Sequence, residues 1–162
     1  MTMSERSGYL RSAGEGDAIW FLGTLVTVKA GSDQTNGAFT LIEQLAPAGF
    51  GPPPHIHRDE DEAFYILDGE LTVTCGDSRW AAPAGAFVFL PRGIPHSFVV
   101  SDAGPAKLLQ LTAPGKFERF AAEAGEPAQQ ATLPPPSAPD VPKMLALMDK
   151  YGYDPVGPPP TD

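Results

Sequence analysis

The 162-residue sequence is poor in cysteine, histidine and basic residues, and it has no long apolar run. Cys75 is the only cysteine, so no internal disulfide can form and the fold cannot depend on an oxidising compartment. Lys plus Arg number 11 against 20 Asp plus Glu, a net charge of −9, which argues against an electrostatic grip on nucleic acid or an anionic membrane surface. The longest apolar stretch, Ala18 to Val26, is far too short to cross a bilayer. The first twenty residues hold no apolar h-region of a secretory signal, so the expected location is the cytoplasm. No internal repeat is visible. Chain breakers, by contrast, are plentiful: 19 Pro and 17 Gly are hard to reconcile with a helical bundle and suit a turn-rich all-β domain.

Ten of the 19 prolines fall between Pro127 and Pro160, which places a composition boundary near residue 125. Before it, β-rich runs alternate with turn signals at the spacing of a sandwich or barrel. Strands are expected over 19–29, 38–46, 62–67, 70–75, 86–90, 97–101 and 106–112, with a tight hairpin at Asp68-Gly69. Residues 116–124 read as a short helix stopped by Gly125. Asp140 can cap a second helix carrying Val141, Met144, Leu145, Met148 and Tyr151 as an apolar stripe, ended by Gly152 and expected to dock on its own barrel. The predicted organisation is a flexible N-terminus (1–14), a β-barrel (15–125), a Pro-rich linker (126–139), a C-terminal helix (140–152) and a loose tail (153–162).

All three histidines belong to one pattern. His55 and His57 sit at i and i+2, on the same face of an extended segment. Glu62 opens the next strand and shares a face with Phe64 and Ile66, while His96 shares one with Phe98 and Val100. Three neutral imidazoles and one carboxylate on inward faces of neighbouring strands make a mixed N/O site for a divalent transition metal. Asp59, Glu60 and Asp61 precede Glu62 and could each supply the carboxylate; strand register favours Glu62 and leaves the other three as a solvated acidic loop. Phe39, Phe64, Phe87, Phe89 and Phe98 are expected in the core, with Phe64, Ile66 and Phe98 nearest the metal as pocket residues. Cys75 reads as a packing residue of a strand.

These residues resemble the two motifs of the cupin superfamily. Gly49, His55, His57, Glu62 and Gly69 stand at the spacing of the first motif, and Gly85, Pro91, Gly93 and His96 at that of the second. Val100 stands where the second motif closes on Asn, which is not a metal ligand in the family, so the departure touches a pocket or turn contact. The resemblance implies an all-β double-stranded β-helix, a jelly-roll barrel with short C-terminal helices. It also implies that His55, His57, Glu62 and His96 hold one divalent ion: Fe, Mn, Co, Ni or Zn.

The wider sequence is similar to bacterial single-domain, quercetinase-like cupins. That similarity implies a metal-dependent dioxygenase acting on a flavonol-like or other enolisable aromatic substrate, with dioxygen as second substrate and Glu62 as general base. Alternatives within the superfamily are a non-oxidative isomerase or lyase, and a small-molecule-binding protein without turnover. A homodimer is implied as well, for which Tyr65, Leu67 and Val73 would supply the outward apolar face.

Overall fold

The structure, a computed structural model, describes residues 6–157. Residues 1–5, where the expected flexible segment starts, and 158–162, where the expected tail ends, lie outside the described residues.

Two antiparallel sheets carry the fold. Strands β1 (Asp17–Phe21), β2 (Thr24–Ala30), β3 (Thr40–Ala46), β5 (Asp61–Asp68), β8 (Phe87–Leu90), β10 (Ala106–Ala113) and β11 (Glu126–Pro127) form one, in the order β11-β1-β2-β3-β10-β5-β8. The other holds β4 (His55–His57), β6 (Glu70–Cys75), β7 (Ser78–Pro83), β9 (His96–Val100) and β12 (Tyr153–Pro155), in the order β12-β4-β9-β6-β7. Among the described residues there are three helices: α1 (Ser32–Thr35), α2 (Phe117–Ala124) and α3 (Val141–Tyr151). This is the all-β jelly roll that the cupin resemblance implied.

Period-2 alternation explains which side chains face in. Along β3, alternate residues from Thr40 to Ala46 are buried, and along β5 Glu62, Phe64 and Ile66 are buried while Tyr65 and Leu67 are exposed. One hydrophobic cluster, with Ile66, Leu71, Val73, Val100 and Leu108, fills the space between the sheets at one end. A second gathers Phe21, Ile42, Phe117, Phe120 and Tyr153, with Met144, Met148 and Tyr151 of α3 packed against it.

Several elements depart from the expectation. The run 19–29 is a hairpin of two strands, because Leu22 (φ 49) and Gly23 (φ 79) both take the left-handed conformation that a two-residue turn requires. Strand β7 has no alternation to betray it, since its residues other than Ala82 are exposed. The break 31–37 contains α1, and the expected linker begins as edge strand β11, paired with β1. Residues Tyr9 and Arg11 of the segment expected to be flexible donate hydrogen bonds to carbonyls of β2, Tyr9 to Lys29 (2.7 Å) and Arg11 to Val28 and Lys29 (2.8 Å each). The expected loose tail begins with β12, which pairs with β4 and buries Tyr153. Val73, placed on the outward face, is fully buried because β6 turns it toward the core.

Asp140 caps α3 by accepting from the Lys143 N–H (3.1 Å), and Gly152 closes it in the left-handed region (φ 85). No α3 residue is fully buried, so the helix lies on the barrel with its apolar stripe half covered.

Asp68-Gly69 joins β5 to β6, and Gly69 sits at φ 81 where an added Cβ would lie 2.7 Å from the Pro105 carbonyl oxygen. Gly69→Ala therefore meets both left-handed strain and a backbone clash. We expect a loss of roughly 2–4 kcal/mol, read as a fall of about 5–15 °C in Tm by calorimetry.

Candidate functional site

The four chemistry-bearing side chains come from both sheets. On β4, the i, i+2 spacing turns His55 and His57 to one face, and His55 lies in register with His96, the first residue of β9. Glu62, on the opposing sheet, pairs with Thr112 of β10 and Leu90 of β8 and points inward. The four residues offer ligand atoms that all lie within 4.8 Å of one another, the expected grouping for a divalent ion. Imidazole centroids are 4.6 Å apart for His55 and His96, and 5.0 Å for His57 with either neighbour.

Hydrogen bonds at the back of each ring decide which nitrogen faces the centre. His55 Nδ1 lies 2.8 Å from the Pro53 carbonyl and His96 Nδ1 lies 3.3 Å from the Ile94 carbonyl. A carbonyl can only accept, so each Nδ1 donates its proton and leaves Nε2 with a bare lone pair. His57 Nδ1 faces the Glu60 carboxylate at 2.8 Å in the same way. Glu62 Oε2 then stands 2.8 Å from His96 Nε2 and 3.4 Å from His57 Nε2. Lone pairs and a carboxylate converging in a dry site repel one another unless a proton or a cation lies among them. The donor set therefore fits a divalent transition metal, with three imidazoles and one carboxylate as partners.

Electrostatics of the metal-free cluster follow from burial and mutual charge. Burial, reinforced by the neighbouring His96, lowers His55 from 6.5 to about 4. Burial also works against a charged His57, but Glu62 and the Glu60 hydrogen bond outweigh it and raise its pKa. Glu62 is held below the ordinary carboxylate range although burial opposes this, because His57 and the His96 hydrogen bond favour its charge.

The cluster stands in the wall of a cavity of about 360 Å³. Phe50, Phe64 and Phe98 line it beside the histidines, with ring centroids 5.4 Å apart for Phe64 and Phe98 and 5.9 Å for Phe50 and Phe98. Val141, Met144, Leu145 and Met148 of α3 form part of the wall. Ile66 does not line the cavity: four residues beyond Glu62 on the same face, it lies roughly 13 Å further along the strand, in the closed core. Val100, at the place of the motif Asn, is packed in that core too. Phe87 and Phe89, expected in the core, are 67% and 53% exposed, because β8 turns them outward while Val88 and Leu90 face in.

The acidic loop divides in a way that composition hides. Asp59 and Asp61 are outside, the first 3.8 Å from Lys116 and the second ion-paired with Arg92 at 3.2 Å. Glu60, expected in solvent, is fully buried against His57. Tyr153 was not singled out as a site residue either; it lines the cavity with its ring 4.5 Å from that of His57. The signals available were the three-residue offset from His57 and an aromatic two residues beyond the end of α3.

A sign follows for pH. His55 is neutral in the folded metal-free protein well below 6.5, so its contribution to stability is present above 6.5 and is lost as the pH falls toward 4. Because the raised His57 works in the opposite sense, the test is a difference: in denaturant unfolding of chelator-stripped protein, wild type is expected to lose stability relative to His55→Ala as the pH falls from 6.5 toward 4. An identical slope in the variant would contradict the assignment.

The cupin domain signature (Cupin_2) matches residues 41–112. The quercetin 2,3-dioxygenase of Bacillus subtilis (strain 168) is 28% identical over 137 residues, covering 85% of this chain but only 40% of that protein's length. Among solved structures, an RmlC-like cupin from Shewanella frigidimarina superposes with a TM-score of 0.58 at 19% identity, covering 70% of this chain and 98% of that one. The oxalate decarboxylase of Bacillus subtilis gives 0.56 at 19% identity over 67% of this chain and 31% of that one. At such identities these structures speak for the fold alone. Domain signature, fold and both motifs agree: residues 41–112 match the cupin domain, the chain has the cupin jelly-roll fold, and it resembles quercetinase-like proteins.

Proposed function

We propose that the protein is a metal-dependent dioxygenase acting on a flavonol-like or other enolisable aromatic substrate. The observation that carries this reading is the position of the three-histidine, one-glutamate cluster in the wall of an apolar, aromatic-lined cavity of about 360 Å³. That volume lies in the range of small-molecule sites. The similarity to a quercetin 2,3-dioxygenase over 85% of the chain supports the same substrate class.

Fe, Mn, Co, Ni or Zn bound by His55, His57, Glu62 and His96 would supply Lewis acidity toward an enolate oxygen. The chain's own residues do the rest. Phe50, Phe64 and Phe98 offer faces and edges to a flat ring and keep water from it. Met144 and Met148 of α3 give an adaptable wall opposite an aromatic ligand. Glu62 accepts the substrate's hydroxyl proton on a carboxylate oxygen, and His96 beside it stabilises the charge distribution before and after transfer. A buried free Cys75 and the absence of a disulfide suit a reducing cytoplasm. No helix among the described residues is long and apolar enough to cross a membrane.

The reading includes a homodimer. Tyr65 of β5 lies in register with Phe87 of β8, and Ala63 with Phe89, so these aromatics form an outward patch beside an edge of the sheet that has no partner strand among the described residues. Exposed aromatics next to an open edge call for cover, and a second copy supplies it.

Two measurements test these statements. Chelator-stripped protein reloaded separately with each metal is expected to consume oxygen with quercetin and a redox-capable metal, and to lose that uptake in His96→Ala. Glu62→Gln should lower kcat by about 10²–10⁴. No uptake in protein shown to be loaded would overturn the dioxygenase reading. In sedimentation velocity, the wild type is expected as a dimer and the Phe87→Glu, Phe89→Glu double variant as a monomer; a monomeric wild type sinks the dimer.

A further inference from the structure

Behind His57 lies a second layer of buried polar groups that the proposed reaction does not use. Glu60 has no exposed surface, and only one of its oxygens is engaged, Oε1 with His57 Nδ1 at 2.8 Å. Its other oxygen, Oε2, is buried without a hydrogen-bond partner, and so is the Tyr153 hydroxyl. An orphaned buried oxygen is costly, and a carboxylate oxygen more so than most. Two such oxygens beside one ring need a physical account.

The backbone brings them to the same ring. Strand β12 pairs with β4 so that Tyr153 stands opposite His57, with centroids 4.5 Å apart. Neither oxygen makes a hydrogen bond of good geometry, yet the two groups are close: burial first, and then the Glu60 carboxylate, raise the Tyr153 phenol. The register is clamped on both sides of the histidine pair: the Arg58 N–H donates to the Gly152 carbonyl and the Val156 N–H to the Pro54 carbonyl, each at 2.9 Å. Arg58 also ion-pairs with Asp149 and Asp154.

His57 differs from its neighbours in how its tautomer is fixed. His55 and His96 face backbone carbonyls a few residues away, which the loops supply. His57 depends on a side chain, and that side chain on what surrounds it. We propose that Glu60 and Tyr153 are positioning residues for His57: the Glu60 carboxylate keeps the proton on Nδ1 so that Nε2 faces the cluster, and the Tyr153 phenol, delivered by the C-terminal strand, steadies Glu60. The metal site is then complete only when the segment after α3 is docked. This rests on the four-donor metal site and not on the dioxygenase reading.

Zinc is the probe, because it is diamagnetic and needs no turnover. In zinc-loaded wild type, long-range nitrogen–proton NMR of the imidazoles is expected to show His57 ligating through Nε2 with a slowly exchanging proton on Nδ1. Glu60→Leu removes the acceptor; zinc affinity, measured by chelator competition, should fall about 10–100-fold and the slow Nδ1 proton should vanish. Glu60→Gln keeps an acceptor and should stay within about threefold of wild type. Tyr153→Phe keeps the ring on His57 and should weaken zinc by roughly three- to tenfold, with Nε2 still the ligand.

Wild-type affinity and a retained Nδ1 proton in Glu60→Leu would overturn the proposal. So would Glu60→Gln as weak as Glu60→Leu, Tyr153→Phe binding as tightly as wild type, or ligation of wild-type His57 through Nδ1. Should Glu60→Leu fail to fold, the wild-type spectrum and the other two variants decide. A wild type that binds no zinc would instead bring down the metal site itself, whereas failure of oxygen uptake alone leaves this proposal standing.

Discussion

Glu62 reaches from one sheet to His96 and His57 on the other, and the rest of the molecule is arranged around that contact. A buried carboxylate is unfavourable unless it is paired, so the imidazoles must be in place before the two sheets can close over it. That requirement fixes the register of β4 against β9 and the inward turn of β5. It also divides the interior. Past Phe64 the space is filled by Ile66, Leu71 and Leu108, and the barrel is a packed core; around the cluster it stays open as a cavity.

The open part is finished by the C-terminal segment. Phe120 stacks edge-on against Tyr153 at 4.9 Å, and Tyr151 packs 5.7 Å from Phe120, so burial of aromatics holds the helix and strand more than charge does. The ion pairs from Arg58 to Asp149 and Asp154 are exposed and screened by salt, so they select a register more than they add stability. Because β12 rides on β4, the wall provided by α3 and the orientation of His57 are two consequences of one docking event.

Much of this was legible beforehand, and the parts that were not share a physical cause. His55, His57, Glu62 and His96 stand out because alternation in strands is strict: once a face is assigned to Phe64, Glu62 must share it. The cap at Asp140 and the stop at Gly152 carry local stereochemistry and can be read without tertiary structure. Glu60 could not be read in that way. Its neighbours Asp59 and Asp61 are outside, and only the fold decides that the middle carboxylate of three turns inward. Tyr153 and β12 depend on a pairing across about a hundred residues, which no local pattern announces. Leu22-Gly23 and β7 fail for the opposite reason: the first lies inside an apolar run, Ala18 to Val26, interrupted only by Gly23 and Thr24, and the second has almost no buried face to alternate.

The contrast between the cavity and its metal-binding end bears on what the proposed enzyme can accept. Walls of phenylalanine, proline and methionine favour a neutral, largely apolar ligand and give an anion little to offset its desolvation. At the cluster the balance reverses, since three imidazoles and a bound cation would stabilise negative charge. A substrate that enters neutral and becomes anionic only on reaching Glu62 meets both conditions. A weakly acidic aromatic hydroxyl does so, whereas a dicarboxylate would carry its charge through the apolar part. In the proposed reaction, a proton acceptor within the cluster would couple ionisation to correct seating, and the cross-sheet contact that organises the fold would also favour such a substrate.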